Sequence, residues 1–183
     1  AGDLPEPVFA PRPRALHVAA ELAGWKADSS RTGEVAAAVA RADAALNGDL
    51  TVPTKEGQWI FYYACPKDGA RLRAEAQEKH VCPTCKAVYT DERTVSAYRT
   101  LRNDEINNAC HDLALGFALT GEQKYAEPVR SVLLSLAALY PKWERHDRWG
   151  RTGLLAVVGG RRYAQLLDEA VSAIGLAQAY DLV

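Results

Sequence analysis

The sequence predicts a mainly α protein built of helical hairpins, interrupted by a small zinc-ribbon-like β insertion at about residues 58–90. Three observations carry that expectation. Apolar residues repeat with the 3.6 period through most of the second half of the chain. An aromatic and β-branched run stands between helical segments. Three of the four cysteines fall close together at metal-ligand spacing, in Cys65-Pro66-Lys67-Asp68-Gly69 and His80-Val81-Cys82-Pro83-Thr84-Cys85.

Along the chain, prolines at 5, 7, 11 and 13 fix φ and remove backbone donors, so residues 1–33 are expected as an extended arm. Residues 34–183 form the body. From Glu34 to Leu46 helix propensity is high, Val35, Val39, Ala42 and Leu46 share a face, and Asn47-Gly48 closes the helix with residues that tolerate a left-handed backbone. Gln58-Trp59-Ile60-Phe61-Tyr62-Tyr63-Ala64 reads as a strand, which Ala87-Val88-Tyr89-Thr90 would join in an antiparallel ribbon. Between Asn103 and Leu119 the apolar set Ile106, Cys110, Leu113, Ala114, Phe117 and Ala118 is helical, and Thr120-Gly121 stops it. Tyr125, Val129, Val132, Leu136 and Tyr140 predict a partner helix that returns antiparallel. Lys142–Gly160, with Trp143, His146, Asp147, Trp149 and Arg151, reads as a long loop. A last helix from Arg161 to about Tyr180 is expected to bury Leu166, Leu167, Val171 and Ile174.

The cysteine stretch reads as a structural Zn²⁺ site. A tetrahedral zinc takes four N or S donors, usually as two close pairs on tight turns. Cys82 and Cys85 make one pair and Cys65 opens the other. The fourth ligand is His80 or Asp68: imidazole suits a thiolate-rich site better, whereas Asp68 stands where a knuckle's second ligand falls. We take His80. A Cys82–Cys85 disulfide is the alternative, but the strand-helix context of redox pairs is missing. Cys110, on a helical pattern, reads as a buried free thiol.

Composition narrows the function classes. A hydrophobic content of 48% suffices for a core, and a net charge of −1 lacks the basic excess that phosphate backbones attract, so no nucleic-acid partner is expected. No apolar run is long enough to span a bilayer. The chain has no Met, which fits a removed signal peptide and a secreted or periplasmic protein, and its uncapped end at Asp181-Leu182-Val183 suggests a continuing chain.

Taken in order, Ala42-Asp43-Ala44, Tyr63 to Gly69, His80 to Cys85, Leu113-Ala114-Leu115-Gly116-Phe117-Ala118-Leu119-Thr120-Gly121 and Gln165 to Ala170 running to Ala179-Tyr180-Asp181-Leu182 resemble the N-terminal part of heparinase II/III-like polysaccharide lyases, including related alginate lyases. The resemblance covers about residue 34 to the end. It implies a partial (α/α) toroid whose groove takes an anionic polysaccharide, followed by the rest of the toroid and by β-sandwich domains. It also implies β-elimination at a uronic acid: the carboxylate is neutralised, the C5 proton removed and the leaving oxygen protonated. The resemblance places the catalytic groups beyond Val183, so none is assigned in this chain.

For substrate contact, Gln165 and Glu169 lie one helical turn apart. His146 with Trp143 and Trp149 would offer a stacking platform, and Arg151, Arg161 and Arg162 would attract acidic groups. Asn107 and His111, at i, i+4, share a helix face that could line a substrate groove or be a satisfied helix surface, and the second is the preferred reading. Two other functions fit parts of the chain. A scaffold of helical hairpins plus zinc ribbon lacks a second repeat. An (α/α)-barrel glycoside hydrolase needs two carboxylates across a groove, and the adjacent Asp168 and Glu169 diverge.

Overall fold

The computed structural model describes residues 12–183, so the prolines at 5, 7 and 11 lie outside the described residues. Among those described are five α-helices and one three-stranded antiparallel sheet: α1 Ala19–Ala27, α2 Thr32–Leu46, β1 Arg73–Ala76, β2 Lys79–Val81, β3 Val88–Tyr89, α3 Glu92–Thr120, α4 Gln123–Leu139 and α5 Leu166–Leu182. No described helix is long and apolar enough to cross a membrane.

The extended arm expected over 1–33 ends early, because α1 and a 3₁₀ turn at Ser29–Arg31 occupy its second half. Leu22 on α1 is buried in the main core, and the Asp28 carboxylate accepts the Ser30 N–H at 2.9 Å to start the turn. Leu22 anchors α1 through its burial, whereas the Asp28 cap serves the 3₁₀ turn; the N-cap of α1, Val18, makes no side-chain hydrogen bond. Ahead of α1 the chain is pinned to α5: the N–H groups of Arg14 and Ala15 donate to Asp181 at 2.6 and 2.7 Å.

The organising element is α3, 29 residues and so about 43 Å long, which touches each of the other four described helices. It begins well before the expected Asn103. Asp91 caps it, accepting the Thr94 N–H at 3.0 Å and the Thr94 hydroxyl at 2.9 Å. Gly121, left-handed, ends it as the Thr-Gly signal predicts, and α4 returns antiparallel. Ile106, Cys110, Leu113 and Ala114 of α3 meet Tyr125, Val129, Val132 and Leu136 of α4 and Ala38 and Ala42 of α2 in one core. Burial pushes the Cys110 thiol up to about 11, as expected of an inert interior thiol. Asn47 ends α2 in a right-handed conformation and bonds its side chain to the Asp43 carbonyl at 3.0 Å.

Where α2 crosses α3 the backbones approach closely at Gly116. A Cβ there would lie 2.5 Å from that of Ala42 and 3.5 Å from the Tyr125 ring, whose hydroxyl donates to Asp43 at 2.7 Å. Gly116→Ala is therefore expected to destabilise the fold by about 1–3 kcal/mol through overpacking, read as a lower urea midpoint at unchanged m-value.

Two expectations fail in the other elements. The aromatic run is not a strand: Ile60–Tyr62 is a 3₁₀ turn, and only Ala64 bridges to Arg71. Its backbone is committed to α3 instead, since the Gln58 N–H donates to the Ser96 carbonyl at 2.9 Å and the Thr100 hydroxyl to the Gln58 carbonyl at 2.6 Å. The rings of Phe61 and Tyr62 pack on Trp59, at 5.0 and 5.4 Å, rather than alternating across a sheet. The ribbon is made by β1, β2 and β3, with His80 opposite Ala74 on one side and Tyr89 on the other. The last helix, α5, is present but starts at Leu166 rather than Arg161, and Leu166, Leu167, Val171 and Ile174 are exposed; Ser172, Ala179, Asp181 and Leu182 face inward.

Candidate metal centre and adjoining groove

Two turns of the same construction face each other. In the first, the Gly69 N–H donates to the Cys65 carbonyl at 2.8 Å and the Cys65 N–H to the Ala70 carbonyl at 2.8 Å. In the second, the Lys86 N–H donates to the Cys82 carbonyl at 3.1 Å and the Cys82 N–H to the Ala87 carbonyl at 2.9 Å. Each closes through a left-handed residue, Gly69 at φ 73° and Lys86 at φ 62°. Residue for residue, Cys65 matches Cys82 and Asp68 matches Cys85. The sulfurs of Cys65, Cys82 and Cys85 and a carboxylate oxygen of Asp68 all lie within 4.8 Å of one another.

His80, our expected fourth ligand, is not among these donors. It is fully buried behind the turns, its Nδ1 shares a 2.9 Å hydrogen bond with the Tyr63 hydroxyl, and its ring packs at 4.8 Å on Tyr98 of α3. Burial pushes its pKa down, keeping it neutral. The pairing of β2 with β1 and β3 directs it into the small core of Tyr63, Cys65, Leu72, Cys82 and Ala97, where it joins the insertion to α3.

The four donors form an electrostatically crowded set. For Cys65, burial raises the pKa, but the Tyr89 hydroxyl 3.1 Å away and the N–H groups of Lys67 and Asp68 outweigh it and hold the thiol below its ordinary value. For Cys85, the Ala87 N–H acts downward, but burial and the neighbouring Cys82, Cys65 and Asp68 push it up to about 11. The Ala70 N–H, donating at 3.0 Å, holds Asp68 ionised. Three sulfurs and one carboxylate converging in this way fit a divalent cation, which would relieve the repulsion among them.

Lys86 occupies the backbone conformation that Gly69 supplies freely, at a strain of about 1–2 kcal/mol for a side-chain-bearing residue. Lys86→Gly should stabilise the protein by about 0.5–1 kcal/mol after the added unfolded-state entropy is subtracted, seen as a higher urea midpoint.

A groove of about 660 Å³ runs between α3 and α5. Asp104, Asn107, Asn108 and His111 line it from α3, and Asp168, Val171, Ser172 and Gly175 from α5; both sets follow helical spacing. Beneath it lies the buried Arg162, whose Nη1 donates to Asn107 at 2.8 Å and to Ser172 at 3.0 Å. The Asn107 amide donates to Tyr163 and Ser172, each at 2.9 Å, and the Tyr163 hydroxyl donates to Asp104 at 3.0 Å. Burial raises the pKa of Asp104 and of Asp168, and Asp168 also acts on Asp104. Asn107, expected as ordinary helix surface, is thus a hub of this network.

The residues read from sequence as substrate contacts sit elsewhere. His146 is buried, its ring nitrogens 2.7 Å from the Gly57 carbonyl and 3.2 Å from that of Glu144. Trp143 is buried with its indole N–H on the Thr54 carbonyl, so the expected platform with Trp149 is not formed. Arg151 is held at 2.6 Å by the buried Asp147. Glu169 accepts the N–H groups of Arg162 and Tyr163, both at 3.0 Å, and Gln165 is the N-cap of α5. These are the fastenings of the loop. Sequence reasoning missed Asp104 and Tyr163, because only the fold brings them together. No family model and no curated protein matches this sequence.

Proposed function

We propose that this chain is the N-terminal part of a polysaccharide lyase acting by β-elimination on uronic-acid-containing anionic polysaccharide, with Zn²⁺ as a structural staple held by Cys65, Asp68, Cys82 and Cys85. The observation that carries this reading is the matched pair of turns presenting three thiols and a carboxylate, mounted on α3 between an aromatic segment and a helical hairpin. That order of features is what resembles the lyases. Thiolate-rich four-donor sets suit zinc, and a closed set leaves no position for a reacting water, so the metal's role is to fix the insertion. In this reading the helices belong to a partial (α/α) toroid, β-sandwich domains follow, and the protein is secreted or periplasmic. Proton transfer falls to groups beyond Val183.

A second reading, a glycoside hydrolase, gains one observation: Asp104 and Asp168 face the same groove from opposite helices, and burial favours a protonated acid there. A protein extending beyond Val183, assayed on alginate and heparan sulfate, should release unsaturated, ultraviolet-absorbing ends. New reducing ends without unsaturation, abolished by Asp104→Asn, would instead establish the hydrolase.

A further inference from the structure

Arg148 has its side chain held in place without the use of any guanidinium N–H group. Its guanidinium carbon lies 4.8 Å from the Trp59 ring centroid and 4.3 Å from that of Trp149. Its backbone carbonyl accepts the Tyr62 hydroxyl at 2.8 Å. The turn that carries it is rigid: the buried Asp147 accepts the N–H groups of Trp149 and Arg151 at 2.9 and 3.1 Å and the Arg151 Nε at 2.6 Å. Yet among the described residues no acceptor takes an N–H of the Arg148 side chain, and no carboxylate pairs with it. A guanidinium stacked on aromatic faces keeps its in-plane N–H fork free and loses little entropy on binding, which is the arrangement that suits a carboxylate or sulfate. Beside it, Phe61, packed on Trp59, is 71% exposed and offers apolar surface on which a sugar's C–H face can rest. Arg93, over the ring of Tyr62 at 3.7 Å and likewise without a carboxylate partner among the described residues, adds a positive charge next to the tyrosine whose hydroxyl reaches the Arg148 carbonyl.

We propose that Arg148, stacked on Trp59 and Trp149, is the anchor of a binding site for the oxyanion of an acidic sugar, with Phe61 as its apolar wall. This rests on the polysaccharide reading for the ligand class and is independent of the reaction. It replaces Arg151, which the sequence suggests but which is occupied by Asp147. A single-stranded nucleic acid would also be drawn to arginines and aromatics. The guanidinium covering Trp59 and Trp149 leaves less ring face for bases, and the chain carries no basic excess.

The test is a tryptophan-fluorescence and calorimetric titration of the metal-loaded protein at low salt. The probes are trimannuronate for carboxylate, a sulfated glucose trisaccharide for sulfate, cellotriose as the neutral control and oligo(dT). At least one acidic saccharide should bind more tightly than cellotriose, and the better of the two identifies the oxyanion. Arg148→Ala should weaken that binding by tenfold or more without changing metal content or melting temperature, and Arg148→Lys, which keeps charge but not the fork, should recover only a minor part. The proposal is overturned if Arg148→Ala binds the acidic saccharides as the parent does, if cellotriose binds equally well, or if oligo(dT) is the tighter Arg148-dependent ligand. A lyase assay that fails while this binding persists would remove the reaction and leave the site.

Discussion

Replacing Cys82 by Ser should abolish stoichiometric metal binding and melt the insertion while leaving most of the helical circular dichroism intact. Cys82 is fully buried, begins the second turn, and belongs to a small core separate from the one that α2, α3 and α4 share. Structural zinc contributes folding free energy directly. Loss of about 3–5 kcal/mol in a domain of this size corresponds to a melting temperature lower by about 10 °C. The choice of fourth ligand is separable in the same experiment. Asp68→Ala should lower metal affinity sharply, and Asp68→Cys should raise it. His80→Ala should keep one metal per chain but cost about 2–4 kcal/mol through the cavity left against Tyr63 and Tyr98. Acid should favour metal release: Cys85, pushed up to about 11 without metal, must surrender its proton on binding, so affinity falls at least tenfold for each pH unit lost below neutrality. Metal content after dialysis across a pH series reads this directly.

The second large effect is expected at Arg162. Its side chain is buried, donates to Asn107, Ser172 and the Asn103 carbonyl, and lies over the Tyr163 ring, so it joins α3 to the start of α5. Burial pulls its pKa down from the ordinary arginine value. Truncation to Ala removes the donor and opens a void, leaving Asn107 and the Asn103 carbonyl short of partners. A cost of about 3–5 kcal/mol follows for breaking such a buried polar set. Arg162→Met, which refills the space with apolar atoms, should cost roughly half as much. Urea unfolding of both variants distinguishes a packing role from a hydrogen-bonding one, because a pure packing role predicts that Met restores the parent midpoint.

How legible this molecule was from its residues depended on whether neighbours in sequence were also neighbours in space. The α3–α4 hairpin could be read because apolar spacing and Thr120-Gly121 act locally. The start of α3 was missed because its cap, Asp91 with Thr94, lies just after the cysteine stretch, where the ribbon dominated the reading. The aromatic run misled because strand propensity describes a pleated surface, and here the backbone hydrogen bonds go to a helix. Burial on α5 was assigned from period alone, which gives a face but not a partner for it. At the metal centre the ligand chemistry favoured His80, while the turn geometry favours Asp68. The equivalence of Cys65-Pro66-Lys67-Asp68-Gly69 with Cys82-Pro83-Thr84-Cys85-Lys86 was present in the sequence all along. Arg148 left no such signal, since its idle guanidinium matters only once Trp59, distant in sequence, joins the adjacent Trp149 against it.

The apolar side chains left in water along α5 and the turn before it bear on how the isolated chain behaves in a tube. Leu154, Leu155, Val157, Leu167, Val171 and Ile174 are each at least 60% exposed. A surface of this kind promotes self-association. Heating should therefore end in precipitation, with a transition temperature that depends on scan rate and protein concentration. Changing Leu155 and Leu167 to Lys should restore reversibility with little effect on the folded core, giving a handle for measuring the equilibria above.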